Sequence, residues 1–277
     1  MRSVTLPSGE RVPALGIGTW RMGENRTARA EELATLRLAL DHGVSVIDTA
    51  EMYGEGLSEM LVGEAIAGRR DDAFLVSKVY PHNATRHGTA AACERSLLRL
   101  RTDRIDLYLL HWRGSVPLAE TLNAFQALQR DGKIRYYGVS NFGMTDLREL
   151  WTLPAGRASA TDQLLYNLLR RSIEWDVLPW ARERHLPIMA YSPLEQARLI
   201  QDPRLVGLAQ RFHLSPAQAA LAWLLAQDDV IAIPKTANRE RLRENLGALD
   251  ESLTSAQLRE LEQAFPRPAG PRPLETL

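Results

Sequence analysis

The chain has 277 residues, 45% of them apolar, and 34 basic residues cancel 34 acidic ones for a pI near 7. This is enough apolar material for one large core, and the neutral balance argues against binding nucleic acid or a membrane surface through bulk charge. The single cysteine, Cys93, excludes an intramolecular disulfide and a four-thiolate zinc site.

In chain order, Val4 to Pro13 reads as a short hairpin turning at Ser8-Gly9. Leu15 to Thr19 is a glycine-spaced strand, and Thr27 to His42 an amphipathic helix closed by Gly43. The pattern then repeats. Strand Val44 to Asp48 precedes helix Ser58 to Ala67, and strand Phe74 to Lys78 precedes helix Thr89 to Leu100. Cys93 falls in that last helical pattern and reads as a small core residue. Strand Ile105 to Leu110 is an almost unbroken apolar run ending in His111-Trp112, the pattern of a strand buried on both faces. Helix Pro117 to Arg130 follows, with proline in its first turn. Then come strand Ile134 to Val139, helix Thr145 to Trp151, strand Ala158 to Gln163, helix Ile173 to Arg184 and strand Pro187 to Tyr191. Helices near Pro203 to Phe212 and Pro216 to Ala226 lead to strand Val230 to Pro234, helix Arg239 to Leu249 and a last helix, Ser255 to Phe265. Residues 266–277 are proline-rich and aperiodic, and read as an extended tail.

Eight strand-then-helix units over about 250 residues point to a closed α/β barrel, the (β/α)8 TIM barrel, with an N-terminal β-hairpin and an extra C-terminal helix in a single domain spanning 1–277. An open doubly wound sheet is the competitor, but no G-x-G-x-x-G follows any strand. The N-terminus has no apolar signal-peptide core, and no run of about 18 apolar residues occurs. A soluble, cytoplasmic protein without a membrane or nucleic-acid partner is expected, as a monomer.

Polar residues stand just past the strands: Asp48, Lys78, His111, Ser140, Asn141, Gln163, Tyr191, Ser192 and Lys235. Barrel enzymes draw their chemistry from those ends, so these side chains should converge on one mouth. Tyr53 lies five residues beyond Asp48, on the same loop. A tyrosine donates a proton readily if a nearby ammonium lowers its phenol pKa. An aspartate paired with that lysine keeps the ammonium charged, and a histidine N–H orients a carbonyl oxygen. Tyr53, Lys78, Asp48 and His111 suit these roles. Taken singly, Asp48 also reads as a cap and Lys78 as a snorkelling surface lysine; four such residues at strand ends do not read that way together. No metal is expected, because the six histidines form no H-x-x-x-H or similar ligand pair.

Gly18-Thr-Trp20, Asp48-Thr-Ala-x-x-Tyr53-Gly, Ser77-Lys78, Asp106 to Trp112, Gly138-Val-Ser-Asn141, Tyr191-Ser-Pro-Leu194 and Ile233-Pro-Lys235 with Arg241-x-x-Glu244-Asn245 resemble, in order, the aldo-keto reductases. The likeness spans roughly residues 3 to 265. Its wording at Trp20-Arg-Met-Gly-Glu and His111-Trp-Arg-Gly-Ser is similar to a bacterial branch with methylglyoxal reductases and diketogluconate-type reductases.

The resemblance implies NADPH-dependent interconversion of carbonyls and alcohols, with Tyr53 as general acid and Asp48, Lys78 and His111 in support. It implies cofactor contacts from Thr19 and Trp20, and hydrogen bonds to the nicotinamide carboxamide from Ser140, Asn141 and Gln163. Tyr191 would stack on the nicotinamide, and Ser192 and Leu194 would meet the pyrophosphate and ribose. Lys235, Thr236, Arg241, Glu244 and Asn245 would hold the adenosine end, with the two cations favouring the 2′-phosphate of NADPH/NADP+. Trp20, Tyr80 and Trp112 would wall the pocket for a small-molecule carbonyl substrate. The histidine at 111 favours carbonyl over double-bond reduction, and the short tail favours small aldehydes and dicarbonyls. Arg113, where many relatives have proline, would place a cation near the mouth. A catalytically silent NADP(H)-binding sensor is the alternative.

Overall fold

A computed structural model describes residues 2–277. β1 (Ser3–Thr5) and β2 (Arg11–Pro13) pair antiparallel. Eight parallel strands follow, each hydrogen-bonded to its sequence neighbour: β3 (Ile17–Gly18), β4 (Val46–Asp48), β5 (Phe74–Val79), β6 (Ile105–Leu110), β7 (Ile134–Ser140), β8 (Asp162–Leu165), β9 (Ile188–Tyr191) and β10 (Val230–Ile233). The ring joins across β10 and β3: Gly16 N donates to Ala232 O at 2.8 Å, Gly18 N to Pro234 O at 3.0 Å, and Ala232 N to Ala14 O at 2.8 Å. Strands packed on both faces are mostly apolar, and β5, β6 and β10 are buried at every position, with the polar exceptions Ser77, Lys78 and Asp106 each bonded to a side-chain partner. The expected (β/α)8 barrel with its hairpin is therefore the fold.

Helices alternate with the strands: α1 (Arg29–Asp41), α2 (Leu57–Ala65), α3 (Arg86–Leu100), α4 (Leu118–Arg130), α5 (Met144–Thr152), α6 (Val177–Arg182), α7 (Pro203–Phe212), α8 (Pro216–Leu225), α9 (Arg239–Gly247) and the extra α10 (Ser255–Ala264). Local chemistry sets their starts. Thr85 Oγ1 accepts the Gly88 N–H at 3.0 Å, so α3 begins before the expected Thr89. Ser215 with Gln218 and Thr254 with Gln257 form capping boxes for α8 and α10. The helix expected from Ile173 shrinks to α6, because Pro179 has no N–H for the Trp175 carbonyl and Asp176 caps Val177 N at 2.7 Å. Cys93 is fully buried in α3, where burial pushes its thiol up to about 12.

The hairpin floors the barrel. Val4, Leu6 and Val12 are buried, and Glu10 Oε2 accepts from Arg135 Nη2 and Tyr136 Oη, both at 2.6 Å, near the start of β7. At the opposite end the segment from 266 to 277 has no regular secondary structure, as expected, yet it is docked. Leu274 packs on the core beside Gly143, and Glu275 pairs with Arg170 at 3.0 Å.

Gly138 lets β7 approach its neighbour and so sets the height of Ser140 and Asn141. A Cβ there would lie 2.5 Å from the Thr161 backbone oxygen. Gly138→Ala should cost roughly 1–3 kcal/mol, read as a lowered urea midpoint with the slope unchanged.

Candidate active site

The residues at the C-terminal strand ends form one polar network under an apolar barrel. Lys78, on β5, is wholly buried. Its Nζ donates to Asp48 Oδ1 at 2.7 Å, to Thr49 O at 2.8 Å and to Tyr53 Oη at 3.2 Å. Tyr53 reaches it from the loop after β4, where Gly54 (φ +57) and Glu55 (φ +54) bend the chain back into the mouth. Gln163 Nε2, from β8, donates to the same Asp48 oxygen at 2.7 Å.

Burial decides the protonation states. It pulls the Lys78 ammonium below its ordinary range, with the Asp48 charge and hydrogen bond opposing it. Burial, and then the Asp48 carboxylate, push the Tyr53 phenol well above its usual value. This differs from the lowered phenol expected from sequence: the ammonium's two shortest bonds go to Asp48 and Thr49. The resting phenol therefore keeps its proton.

His111 follows β6 directly, and its backbone N–H donates to Val79 O at 3.0 Å. Its ring meets Tyr53 edge-on, centroids 5.9 Å apart. Burial, helped by Lys78, lowers its pKa to about 2, so the imidazole is neutral and offers one donor and one acceptor. Its Nδ1 is buried without a partner. Tyr80 stands 6.3 Å from His111 and 5.5 Å from Trp112, and Trp112 is partly exposed, so an aromatic wall rises beside the imidazole.

The remaining strand-end residues line the rim from β7 round to β3. Ser140 Oγ donates to Gln163 O at 2.9 Å, Asn141 Nδ2 to His111 O at 3.1 Å, and Tyr191 Oη to Asn141 Oδ1 at 2.9 Å. Asn141 holds φ +59, which asparagine tolerates. Ser192 and Leu194 are half-buried on the loop after β9. Past β10, Thr236 Oγ1 accepts the Asn238 N–H at 3.2 Å, and Asn238 caps α9 by accepting Arg241 N at 2.9 Å. Asn245 is buried and Glu244 half-buried on α9. Thr19 is wholly buried: its hydroxyl donates to Asp48 O at 2.9 Å and accepts from Ser58 Oγ at 2.7 Å, which leaves no side-chain surface for a ligand. Trp20 is half-buried, with the Arg21 guanidinium 4.4 Å over its ring.

A phosphorylated dinucleotide fits these residues. Lys235 is exposed at its surface, yet desolvation by the protein around it pulls its ammonium down; Glu32 opposes this while Arg21 and Arg241 add to it. Arg21 and Arg241, both close enough to act on Lys235, make with it a cationic group suited to an anion, whereas the first N–H groups of α9 are already taken, Arg239 N by Glu31 at 3.1 Å and Arg241 N by Asn238 at 2.9 Å.

The Arg113 side chain is held by its own loop and by α5. Its Nη1 donates to Val116 O at 2.8 Å and to Gly114 O, and its Nη2 to Glu149 at 3.0 Å, so its charge is spent locally. Sequence reasoning also missed Glu51, which accepts from Tyr80 N at 2.8 Å and Asn83 Nδ2 at 3.0 Å and so fixes the aromatic wall. It missed Asn167 too, a buried amide that donates to Ser192 O at 3.0 Å and to Glu195 at 2.8 Å. A lone amide in the apolar stretch Leu164 to Leu169 was the available signal. Among the described residues no group of three or more His, Cys, Asp or Glu is placed to hold a metal ion, and no helix is long and apolar enough to cross a membrane.

Comparison with known proteins agrees with this geometry. Residues 14–265 match the aldo/keto reductase family model. The chain is 46% identical to methylglyoxal reductase YeaE of Escherichia coli over 269 residues, 95% of each chain. It is 32% identical to a glyoxal reductase of Bacillus subtilis over 278 residues, covering 99% of this chain and 97% of that one. A Klebsiella pneumoniae aldo/keto reductase crystallised with NADP and acetate superposes with a TM-score of 0.97 at 45% identity, covering 99% of each chain. An aldo-keto reductase of the same organism in complex with NADPH gives 0.96 at 45% identity over 100% of both chains.

The neutral burial of His111 has a pH signature. Its folded pKa, about 2, lies below the ordinary 6.5, so below pH 6.5 the unfolded chain binds a proton that the folded one refuses. The stability from His111 is complete above that pH and is lost as pH falls toward about 2. Relative to His111→Asn, the wild-type protein should lose roughly 1.4 kcal/mol per pH unit on acidification from pH 6 to 4, measured by urea denaturation. Parallel stability curves would refute it.

Proposed function

The chain belongs to the aldo/keto reductase family, and on that premise we propose that it is an NADPH-dependent reductase of small aldehydes and dicarbonyls, methylglyoxal among them. The observation that carries this reading is the chain Asp48–Lys78–Tyr53, bonded at 2.7 and 3.2 Å, with a neutral His111 edge-on to the phenol. The Klebsiella structures with NADP and NADPH and the relation to methylglyoxal and glyoxal reductases support the cofactor and the substrate class.

When bound along the rim from Ser140 to Asn245, NADPH supplies the hydride. The protein supplies the proton and the electrostatics. Neutral His111 presents its N–H to the carbonyl oxygen and orients it without adding a charge. Tyr53 keeps its proton until negative charge grows on that oxygen, then releases it from Oη. The Lys78 ammonium faces the phenolate left behind, and Asp48 keeps that ammonium charged within a buried site. Asn141 and Gln163 are already tied into the network, through His111 O and Asp48, so a carboxamide held there is held in register with the proton donor. Tyr191, anchored through Oη to Asn141, offers its ring face for stacking. Trp20, Tyr80 and Trp112 give the carbonyl compound an apolar wall, and the docked tail limits its size.

Tyr53→Phe should lower kcat by about 10²–10⁴-fold while NADPH still binds, followed as loss of NADPH absorbance with a panel of aldehydes and dicarbonyls. Full turnover in that variant would remove Tyr53 from the proton transfer. Tight NADPH binding by the wild-type protein with no consumption by any carbonyl would mark a silent binding protein instead. Lys235→Ala and Arg241→Ala should each weaken NADPH by about ten-fold or more, as loss of a charge-assisted contact does, and NADH much less. Equal loss for both cofactors would overturn the 2′-phosphate assignment.

A further inference from the structure

The loop after β9 is built against backbone preference. Ser192, Glu195, Gln196 and Ala197 hold φ of +48, +50, +53 and +70, the left-handed region that favours glycine. What holds the loop there is Glu195, a carboxylate only 1% exposed. Its Oε2 accepts from Asn167 at 2.8 Å, and its Oε1 accepts from Arg170 and from Arg198, each at 2.9 Å. The Asn167 amide also grips Ser192 O at 3.0 Å, so both ends of the turn are tied to the loop after β8.

Arg170 carries a second load. Its Nη1 donates to Glu275 Oε1 at 3.0 Å, the ion pair that ties down the C-terminal strap. The strap crosses the ends of three strands. Leu274 lies beside Gly143 past β7, Glu275 meets Arg170 past β8, and the Leu277 backbone lies beside the Tyr191 hydroxyl at the end of β9. One guanidinium, with its fork of fixed donors, is therefore shared by the loop assigned to the cofactor pyrophosphate and the segment that borders the substrate side.

We propose that Arg170 is a positioning residue that couples the two: a dinucleotide seated on Ser192 and Leu194 rigidifies the Glu195 turn, and through Arg170 steadies the strap over the mouth. This rests on the cofactor reading above. Coupling is reciprocal, so a loosened strap must in turn weaken the cofactor.

The test is amide hydrogen exchange of residues 268–277 with and without saturating NADP+, combined with NADP+ titration by tryptophan fluorescence. In the wild-type protein NADP+ should slow exchange of the strap. Glu275→Gln, a half-exposed change that leaves Glu195 fully paired, should speed strap exchange, abolish the NADP+ response and raise the NADP+ Kd by about two- to five-fold. Arg170→Met also strips a partner from the buried Glu195 and should raise that Kd by about ten-fold or more. In both variants the KM for the carbonyl should rise more than kcat falls. A strap that exchanges alike with and without NADP+ in a wild-type protein that binds it, or an unchanged Kd in Arg170→Met, overturns the role of Arg170. Wild-type protein that fails to bind NADP+ overturns the cofactor reading itself.

Discussion

A lysine ammonium with no exposure to water governs this structure. Lys78 is stable inside the barrel because Asp48 balances its charge at 2.7 Å and the Thr49 carbonyl takes a second N–H. Removing either member of such a buried pair typically costs about 3–5 kcal/mol, because the other is left without compensation. The pair therefore fixes more than chemistry. It sets the register of β4 against β5, and through the Gln163 amide on the same Asp48 oxygen it spans the barrel to β8. Tyr53 is then placed by what remains of the ammonium's donor capacity, at the longer distance of 3.2 Å.

The same burial silences the neighbours. With the phenol held protonated and the imidazole held neutral, the Lys78–Asp48 pair carries the charge at the core of the site. A low-dielectric site of this kind strengthens the attraction between the ammonium and any charge that forms on the phenol oxygen. The imidazole, held neutral, adds no second positive charge beside it.

Much of this was legible in the sequence, and the reasons are specific. Ile105 to Leu110 reads as a strand because it is apolar on both faces, and the structure places it there residue for residue. Asp48, Lys78 and His111 were identifiable because a polar residue at the end of an apolar run has few structural uses, and the fold then brings them together. The direction of the Tyr53 shift was not legible, since it depends on how the ammonium divides its bonds. Arg113 looked like a mouth cation in one dimension, but Glu149, on α5, takes its charge. Arg170, Glu195 and Glu275 belong to three aperiodic segments, so no spacing signals their meeting. The docking of the tail was hidden for the same reason: a proline-rich stretch carries no pattern that reveals what it lies against.

The seam between β3 and β10 has a consequence for how the chain comes into being. The first barrel strand is closed by the last, through Gly16, Gly18 and the backbone from Ala232 to Pro234. A ribosome makes these in opposite order of need, so through most of synthesis β3 and the newest strand both present open edges. Unpaired edges are templates for wrong pairing. β3 is short and glycine-spaced, with only Ile17–Gly18 in regular strand, which makes it a poor template while it waits. Gly18, where a Cβ would lie 3.2 Å from Ile233 O across the seam, thus admits β10 and also helps keep this edge a poor template until that last strand arrives.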